Sequence, residues 1–287
     1  LHRTTALVHD ISLEVTARDR ASLSGAALRG GTRVSITHLG TESADDRLDA
    51  AAAARAAGFA PVPHLAARRF ADASGAREAL AGLRERGAHE RVFIVAGDPR
   101  TPAGPYVSAE DLIRTGILAE HGVREVGIGG YPEGHPAIAD DALWAALEAK
   151  VAAVQERGMT ATLTTQFSFD ADAVIRWIER VRAAGIDVPI RVGVPGPAGV
   201  GRLLAFARRC GVGSSAGIAR KYGFSLANLM GTATPDRFVA ELAGRLDLAH
   251  HGDIRLHVYA FGDVQAASAW IASAAERTLP LEATKPA

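Results

Sequence analysis

Ile11-Ser12-Leu13-Glu14-Val15 reads as a β-strand with a carboxylate in its middle. Side chains alternate across a strand, so Ser12, Glu14 and Thr16 share one face while Ile11, Leu13 and Val15 share the other. The apolar face can pack under helices, which leaves Glu14 on the opposite face. Later strand-like runs end in the same way, on a polar residue: Thr37 closes Arg33-Val34-Ser35-Ile36-Thr37, and His64 follows Ala60-Pro61-Val62-Pro63. Asp98 ends the run from Val92, and Gln166 ends Thr162-Leu163-Thr164-Thr165-Gln166. This recurrence points to one site gathered from many strand ends.

Strand candidates lie near 11–17, 32–39, 60–66, 91–98, 123–130, 160–168, 188–194 and 254–261. Helical patterns fall near 21–29, 47–58, 74–87, 108–121, 140–157, 171–184, 198–210 and 264–277, with a further helical region between 219 and 248. Strands alternating with helices predict a parallel sheet with crossover helices. Eight such units in about 250 residues predict an α/β fold, a closed (β/α)8 TIM barrel with extra helices near its C-terminal part. No linker divides the chain, so residues 1–287 are expected to form a single barrel catalytic domain. Ser108 before Ala109-Glu110-Asp111 marks a helix start, and Gly185 after Arg182-Ala183-Ala184 marks a stop. In a barrel Glu14 points inward, and Asp98, Tyr131 and Gln166 are expected to converge with it at the C-terminal mouth of the strands.

Composition narrows the function classes. The chain has 287 residues, 48% of them hydrophobic, enough for a sizeable core. Its 32 basic and 32 acidic residues cancel, so no global field favours nucleic acid or an anionic membrane surface. No run approaches the roughly 18 apolar residues of a membrane span, and the first residues lack the order of a signal peptide. A single cysteine, Cys210, excludes an internal disulfide and fits a cytoplasmic location. A homo-oligomer is compatible with all of this.

Burial of Glu14 among apolar neighbours predicts a raised pKa, suited to general acid catalysis near neutral pH. Pairing with a barrel Arg or Lys is the competing reading, and the strand alone leaves both open. Gly97-Asp98-Pro99 offers close backbone approach followed by an acid, or simply a capped turn. Tyr131-Pro132-Glu133-Gly134-His135-Pro136 makes a stiff loop that could cradle a planar ring, or a turn with a satisfied histidine. Gln166 beside Phe167 suits a heterocycle with mixed hydrogen-bonding edges, whereas Phe169 and Asp170 read as a core aromatic and a helix cap. Gly211-Val212-Gly213-Ser214-Ser215-Ala216-Gly217 lacks the spacing of a dinucleotide fingerprint. His250-His251 reads as solvated, with no metal site, because no convergent Asp/Glu/His set of familiar spacing accompanies the pair. Cys210 reads as a core or helix-end residue.

Taken in order, Leu13-Glu14, Ser35-Ile36-Thr37, Pro63-His64-Leu65, Gly97-Asp98-Pro99, Tyr131 to Pro136 and Thr165-Gln166-Phe167 resemble the methylenetetrahydrofolate reductase family across nearly the whole chain. The resemblance implies FAD at the strand C-terminal ends with a tetrahydrofolate derivative stacked on it. It further implies flavin-dependent interconversion of 5,10-methylene- and 5-methyltetrahydrofolate, with NADH or NADPH as candidate electron partner. By position, Glu14 matches the family's acid and Asp98 the acid near flavin and pterin. Gln166, with Phe167, matches the folate contact, and Thr37, His64, Gly97, Tyr131 and His135 match flavin contacts. Lys150 resembles a flavin-binding lysine, although the segment from it to Gln166 is longer than usual.

The chain also departs from the family. Glu14 is followed by Val15-Thr16-Ala17, Ala96 stands where an arginine is common, and residues 256–263 carry no arginine for the folate tail, a role for which Arg220 or Lys221 is the substitute. The pattern is nearest a divergent bacterial subgroup, which admits oxidation of methyltetrahydrofolate as the physiological direction, with an electron partner other than NADH. Two rival readings remain: a flavin-free enzyme passing hydride directly from a nicotinamide, and a non-catalytic folate-binding accessory subunit.

Overall fold

A computed structural model describes residues 7–210 and 232–278. All eight expected strands form: β1 (Ser12–Thr16), β2 (Arg33–Thr37), β3 (Ala60–Ala66), β4 (Arg91–Val95), β5 (Glu125–Gly130), β6 (Thr160–Thr165), β7 (Ile190–Pro195) and, last in the chain, β10 (Ile254–Tyr259). They close a barrel in the order β1-β10-β7-β6-β5-β4-β3-β2, and each pair is parallel. This is the TIM barrel. Two further strands, β8 (Ala198–Gly199) and β9 (Thr232–Ala233), pair antiparallel outside the barrel and have no counterpart in the sequence pattern. Among the described residues no helix is long and apolar enough to cross a membrane.

The period-two pattern sorts the barrel residues. Leu13, Val34, Ile36, Ile94, Ile128, Leu163, Val192, Leu256 and Val258 are each at most 1% exposed and join one core cluster with the surrounding helices. At roughly 1.5–3 kcal/mol per fully buried large apolar side chain, this layer between sheet and helices supplies most of the drive to fold. Many of the inward positions are polar instead. At the N-terminal end of the barrel, Arg191 is 4% exposed and donates to the Asp10 carboxylate at 2.6 Å, while Arg33 pairs with Glu125. Burial pushes the Asp10 carboxyl up, but the Arg191 and Arg255 guanidiniums outweigh it and hold the group below its ordinary value. Ion pairs thus occupy the bottom of the barrel, leaving Ser12, Glu14, His64 and His257 for the upper levels.

Helix starts follow local chemistry. Ser43 and Ser108 each form a capping box, with Asp46 and Asp111 respectively, and Asp170 caps the helix Ala171–Ala183. Each cap contributes about 1 kcal/mol. Gly185 has φ 75° and takes the left-handed stop position expected of it. Two expected helices differ. Residues 21–29 do not form an α-helix; Ala17–Gly25 is 3-10 instead, entered through Thr16 and Asp19, and its Ser- and Gly-containing sequence has no apolar stripe to hold a regular helix. The single helix expected at 108–121 is broken into Ala109–Arg114 and Ile117–Glu120 by Gly116, whose φ is 80°. Of the region between 219 and 248, Asp236–Arg245 is helical, followed by Leu248–His251.

One glycine ties the fold to the barrel mouth. The Gly193 amide donates to Thr165 Oγ1 at 2.8 Å, and its carbonyl accepts from Ser168 N at 3.2 Å, strapping the 166–168 turn to β7. A Cβ on Gly193 would collide with the Thr165 carbonyl oxygen and lie 2.8 Å from the backbone of Gln166 and Phe167. Gly193→Ala is therefore expected to cost about 1–3 kcal/mol through overpacking, read as a lower urea midpoint with an unchanged m-value; a wild-type midpoint would show that the strap yields freely.

Candidate functional site

The closed barrel places Glu14 on the floor of a cavity of about 790 Å³ at the C-terminal ends of the strands. β1 and β10 pair with Ser12 opposite His257 and Glu14 opposite Tyr259. His257, 1% exposed, lies between two β1 side chains: its Nδ1 is 2.8 Å from Ser12 Oγ and its Nε2 is 3.2 Å from Glu14 Oε2. From the other side β3 presents His64, whose Nε2 is 3.8 Å from the same Glu14 oxygen and has no hydrogen-bond partner among the described residues. His64 stacks on Phe93 with ring centroids 4.5 Å apart. Phe93 reaches across because Gly127, beside it on β5, has no Cβ to meet its ring.

These neighbours overturn the expected raised pKa of Glu14. Burial does push the carboxyl up, but the His257 hydrogen bond, the nearby imidazoles and a hydrogen bond from Thr37 outweigh it, and the pKa is lowered. His64 itself is neutral at pH 7, because burial drops its pKa to about 4 against the raising effect of Glu14. The hydrogen bonds from His257 and Thr37 are therefore what hold the Glu14 carboxylate in its charged form. No barrel Arg or Lys pairs with it among the described residues, so the structural ion pair also fails. Tyr259 stays a neutral phenol: burial first, then the Glu14 charge, push its pKa well up, and its hydroxyl donates to the Thr165 carbonyl at 3.0 Å.

Most of the sequence-derived candidates meet in this one cavity. Glu14, Thr37, His64, Gly97, Asp98, Tyr131, His135, Gln166 and Phe167 all line it. Gly97 turns the chain there with φ 97°, and a Cβ on it would press to 3.0 Å from that of Ala66. Tyr131 and His135 meet edge to face, 5.3 Å between centroids, and His135 Nδ1 accepts the Ala137 amide, so the loop closes on itself as a stiff rim. Gln166 spends its Oε1 on the Phe167 amide at 3.0 Å, leaving its NH2 group for a ligand.

Other expectations are corrected or fall outside the described residues. Lys150 does not line the cavity: it sits in the helix Asp140–Glu156, largely desolvated, with its pKa brought down to about 8 by burial against the raising effect of Glu110. The longer segment between Lys150 and β6 carries it down the outer helix, away from the strand ends. Arg220, with Lys221 and the 211–217 glycine run, lies outside the described residues. His251 is not solvated but 4% exposed, its Nε2 facing Glu179 at 3.8 Å; with His250, these residues offer three ligand atoms within 4.8 Å of one another on the outer wall. Sequence spacing could not find Glu179, since it comes from the distant helix Ala171–Ala183.

The structure adds residues that motif reading passed over. His257 and Ser12 complete the Glu14 contact, and Tyr259, Phe261 and Phe206 form with Phe167 an aromatic wall of mutually contacting rings. Phe261 holds φ 50°, a strained conformation for an aromatic residue and the only positive φ of a non-glycine among the described residues. The available signal was the same-face alternation of His257 and Tyr259 on the last strand, which matches that of Ser12 and Glu14 on the first.

A family model described as methylenetetrahydrofolate reductase matches residues 26–217. The chain belongs to the methylenetetrahydrofolate reductase family. Two curated relatives agree: methylenetetrahydrofolate reductase 2 of Saccharomyces cerevisiae is 33% identical over 128 residues, and methylenetetrahydrofolate reductase 1 of Schizosaccharomyces pombe is 36% identical over 88 residues. The aligned stretches cover 42% and 30% of this chain but only 20% and 14% of those longer relatives. Two structures of dihydropteroate synthase from Thermus thermophilus superpose with TM-scores of 0.46 and 0.49 at 17% and 16% identity, each covering 92% of this chain and 91% of the other. They carry no functional argument.

The buried neutral His64 makes stability pH-dependent. Its folded pKa lies below its unfolded value of 6.5, so between about pH 6.5 and 4 the unfolded chain takes up a proton that the folded chain refuses. Stability present above pH 6.5 is thus lost as the pH falls, by up to roughly 1.4 kcal/mol per unit for one group. Urea unfolding between pH 7 and 4.5 is expected to show a shallower slope for His64→Gln than for the wild type; equal slopes would mean that His64 protonates freely in the folded state.

Proposed function

We propose that the chain is an oxidoreductase that interconverts 5,10-methylenetetrahydrofolate and 5-methyltetrahydrofolate, using FAD, with Glu14 as the residue that handles the proton. The observation that carries this reading is the Glu14 carboxylate, isolated on the floor of the cavity and hydrogen-bonded by His257, in a chain of this family. A folate-binding accessory protein would have no use for such a group.

The residues present fit a flavin with a second ring system beside it. A cavity of about 790 Å³ lies in the upper part of the range for sites that take large organic ligands. One wall is polar, with Thr37, His64, Asp98 and Gln166, while the other is the aromatic set Phe167, Tyr259 and Phe261. Thr37, His64, Gly97, Tyr131 and His135 would hold the flavin, and Gln166 with Phe167 the pterin. When bound, FAD supplies reversible hydride transfer.

The protein's own part is to orient the rings, exclude water and move one proton. In the reducing direction Glu14 protonates a bridging nitrogen of methylenetetrahydrofolate, the five-membered ring opens, and the resulting iminium carbon accepts hydride. In the oxidising direction the same carboxylate receives the proton as the ring closes. Because its pKa is lowered, the resting form of Glu14 is the base. Reduction would draw its electrons from NADH or NADPH, whereas methyl oxidation would pass them to an acceptor other than NADH; the same carboxylate serves both directions. Asp98, at the strand end beside Gly97, places a second negative group at the rim to tune the ring electrostatics.

The placement of Lys150 outside the cavity, together with Ala96 on its wall, favours a second reading in which a nicotinamide passes hydride directly and no flavin is kept. The visible spectrum of the purified protein separates the two. Flavin bands that bleach on anaerobic addition of methyltetrahydrofolate support the FAD reading; colourless protein that cannot be reconstituted, yet turns over with a nicotinamide, supports the second. In either case Glu14→Gln is expected to keep ligand binding and lose roughly 10²- to 10⁴-fold in kcat. Wild-type kcat would remove Glu14 from the mechanism.

A further inference from the structure

Glu14 has two oxygens, and the barrel treats them differently. Oε2 is the one within reach of both imidazoles, at 3.2 Å from His257 Nε2 and 3.8 Å from His64 Nε2. Of the two histidines, only His257 is itself anchored, by Ser12 Oγ at 2.8 Å from Nδ1. When Ser12 donates its hydroxyl to Nδ1, the imidazole must carry its proton on Nε2, aimed at Oε2. When the imidazole is doubly protonated, Nδ1–H donates to Ser12 Oγ, and the hydroxyl turns to the Leu256 carbonyl at 3.4 Å. Since a carboxylate oxygen can only accept, the 3.2 Å contact with Oε2 selects the states that carry a proton on Nε2. Ser12 and His257 are each 1% exposed, so water does not compete for these bonds.

Resting on the reading of Glu14 as the proton-handling group, we propose that His257, set by Ser12, is the positioning residue that anchors Glu14 Oε2 and leaves Oε1 as the oxygen that exchanges a proton with the substrate. The logic is that of an orienting partner behind a reactive group: one atom is fixed so that the other is delivered in a single geometry. The proton balance is simple. In reduction Oε1–H gives its proton to the substrate nitrogen and Glu14 becomes a carboxylate, which the Nε2–H bond to Oε2 stabilises; in oxidation Oε1 takes that proton back. His257 donates throughout and loses nothing.

Of the other groups facing Glu14, Thr37 on β2 also donates a hydrogen bond to the carboxyl, His64 on β3 is too distant for one, and Tyr259 on β10 commits its hydroxyl to Thr165. The nearer rim charges of the cavity, Asp19, Asp98, Arg68 and Arg69, belong to other strand ends and loops.

The test uses the full chain with whatever cofactor it retains, and compares Ser12→Ala, His257→Leu and His257→Gln. Infrared titration of the Glu14 carboxyl band, assigned by its loss in Glu14→Gln, reads the ionisation directly and without turnover. Removing the Nε2–H donor is expected to shift that titration upward in His257→Leu, and by less in Ser12→Ala. The same order is expected in turnover: kcat falls roughly 10- to 100-fold in His257→Leu with KM little changed, while His257→Gln, whose amide can still donate, recovers part of the loss. Should His257→Leu fail to fold, Ser12→Ala carries the test, since it removes one small hydroxyl. An unmoved carboxyl titration with wild-type kcat in the folded variants overturns the positioning role. Wild-type kcat in Glu14→Gln overturns the reading beneath it instead, so the two failures are told apart.

Discussion

The pairing of β1 with β10 is the constraint on which the rest depends. It closes the barrel, and its register sets Ser12 opposite His257 and Glu14 opposite Tyr259. Because side chains alternate with a period of two, a slip of one residue in either strand would turn Glu14 into the helix layer and Leu13 into the barrel. The apolar outward set, Leu13 and Val15 on β1 with Leu256 and Val258 on β10, resists that slip, since all four are 2% exposed or less. The hydrophobic layer outside the barrel thus fixes the position of the polar group inside it.

The barrel interior divides by level. Ion pairs among Asp10, Arg191, Arg255, Arg33 and Glu125 fill the N-terminal end, with Arg191 the most deeply buried of them. Above them Glu14 sits between two imidazoles, His257 and His64, on the floor of a cavity lined on one side by aromatic rings. Small residues make the second arrangement feasible. Gly127 gives way to Phe93, which supports His64, and Gly193 lets the 166–168 turn close against β7.

The electrostatics of Glu14 show how far an isolated residue can mislead. Desolvation alone pushes a carboxyl up, and a strand of apolar neighbours suggested just that. His257, from the opposite end of the chain, leads the groups that reverse the sign, with His64 and Thr37 adding to it. The carboxyl is thereby held in its charged form despite its burial.

Much of the fold was legible in the sequence because its signals are local. Period-two runs marked the barrel strands, polar residues at their ends marked the mouth, and Ser108, Asp170 and Gly185 marked helix boundaries through bonds made within a few residues. The candidate site was legible to the same extent: residues at strand ends converge in a barrel wherever they fall in the chain. What the sequence did not contain is who touches whom. The partnership of Glu14 with His257, the shared approach of His64 to the same oxygen, and the removal of Lys150 to the outer helix layer are set by barrel closure and by the rotation of each helix. Those are properties of distances across the folded chain. Alternation along a strand determines which face a side chain takes, whereas only the closed barrel decides what it meets there.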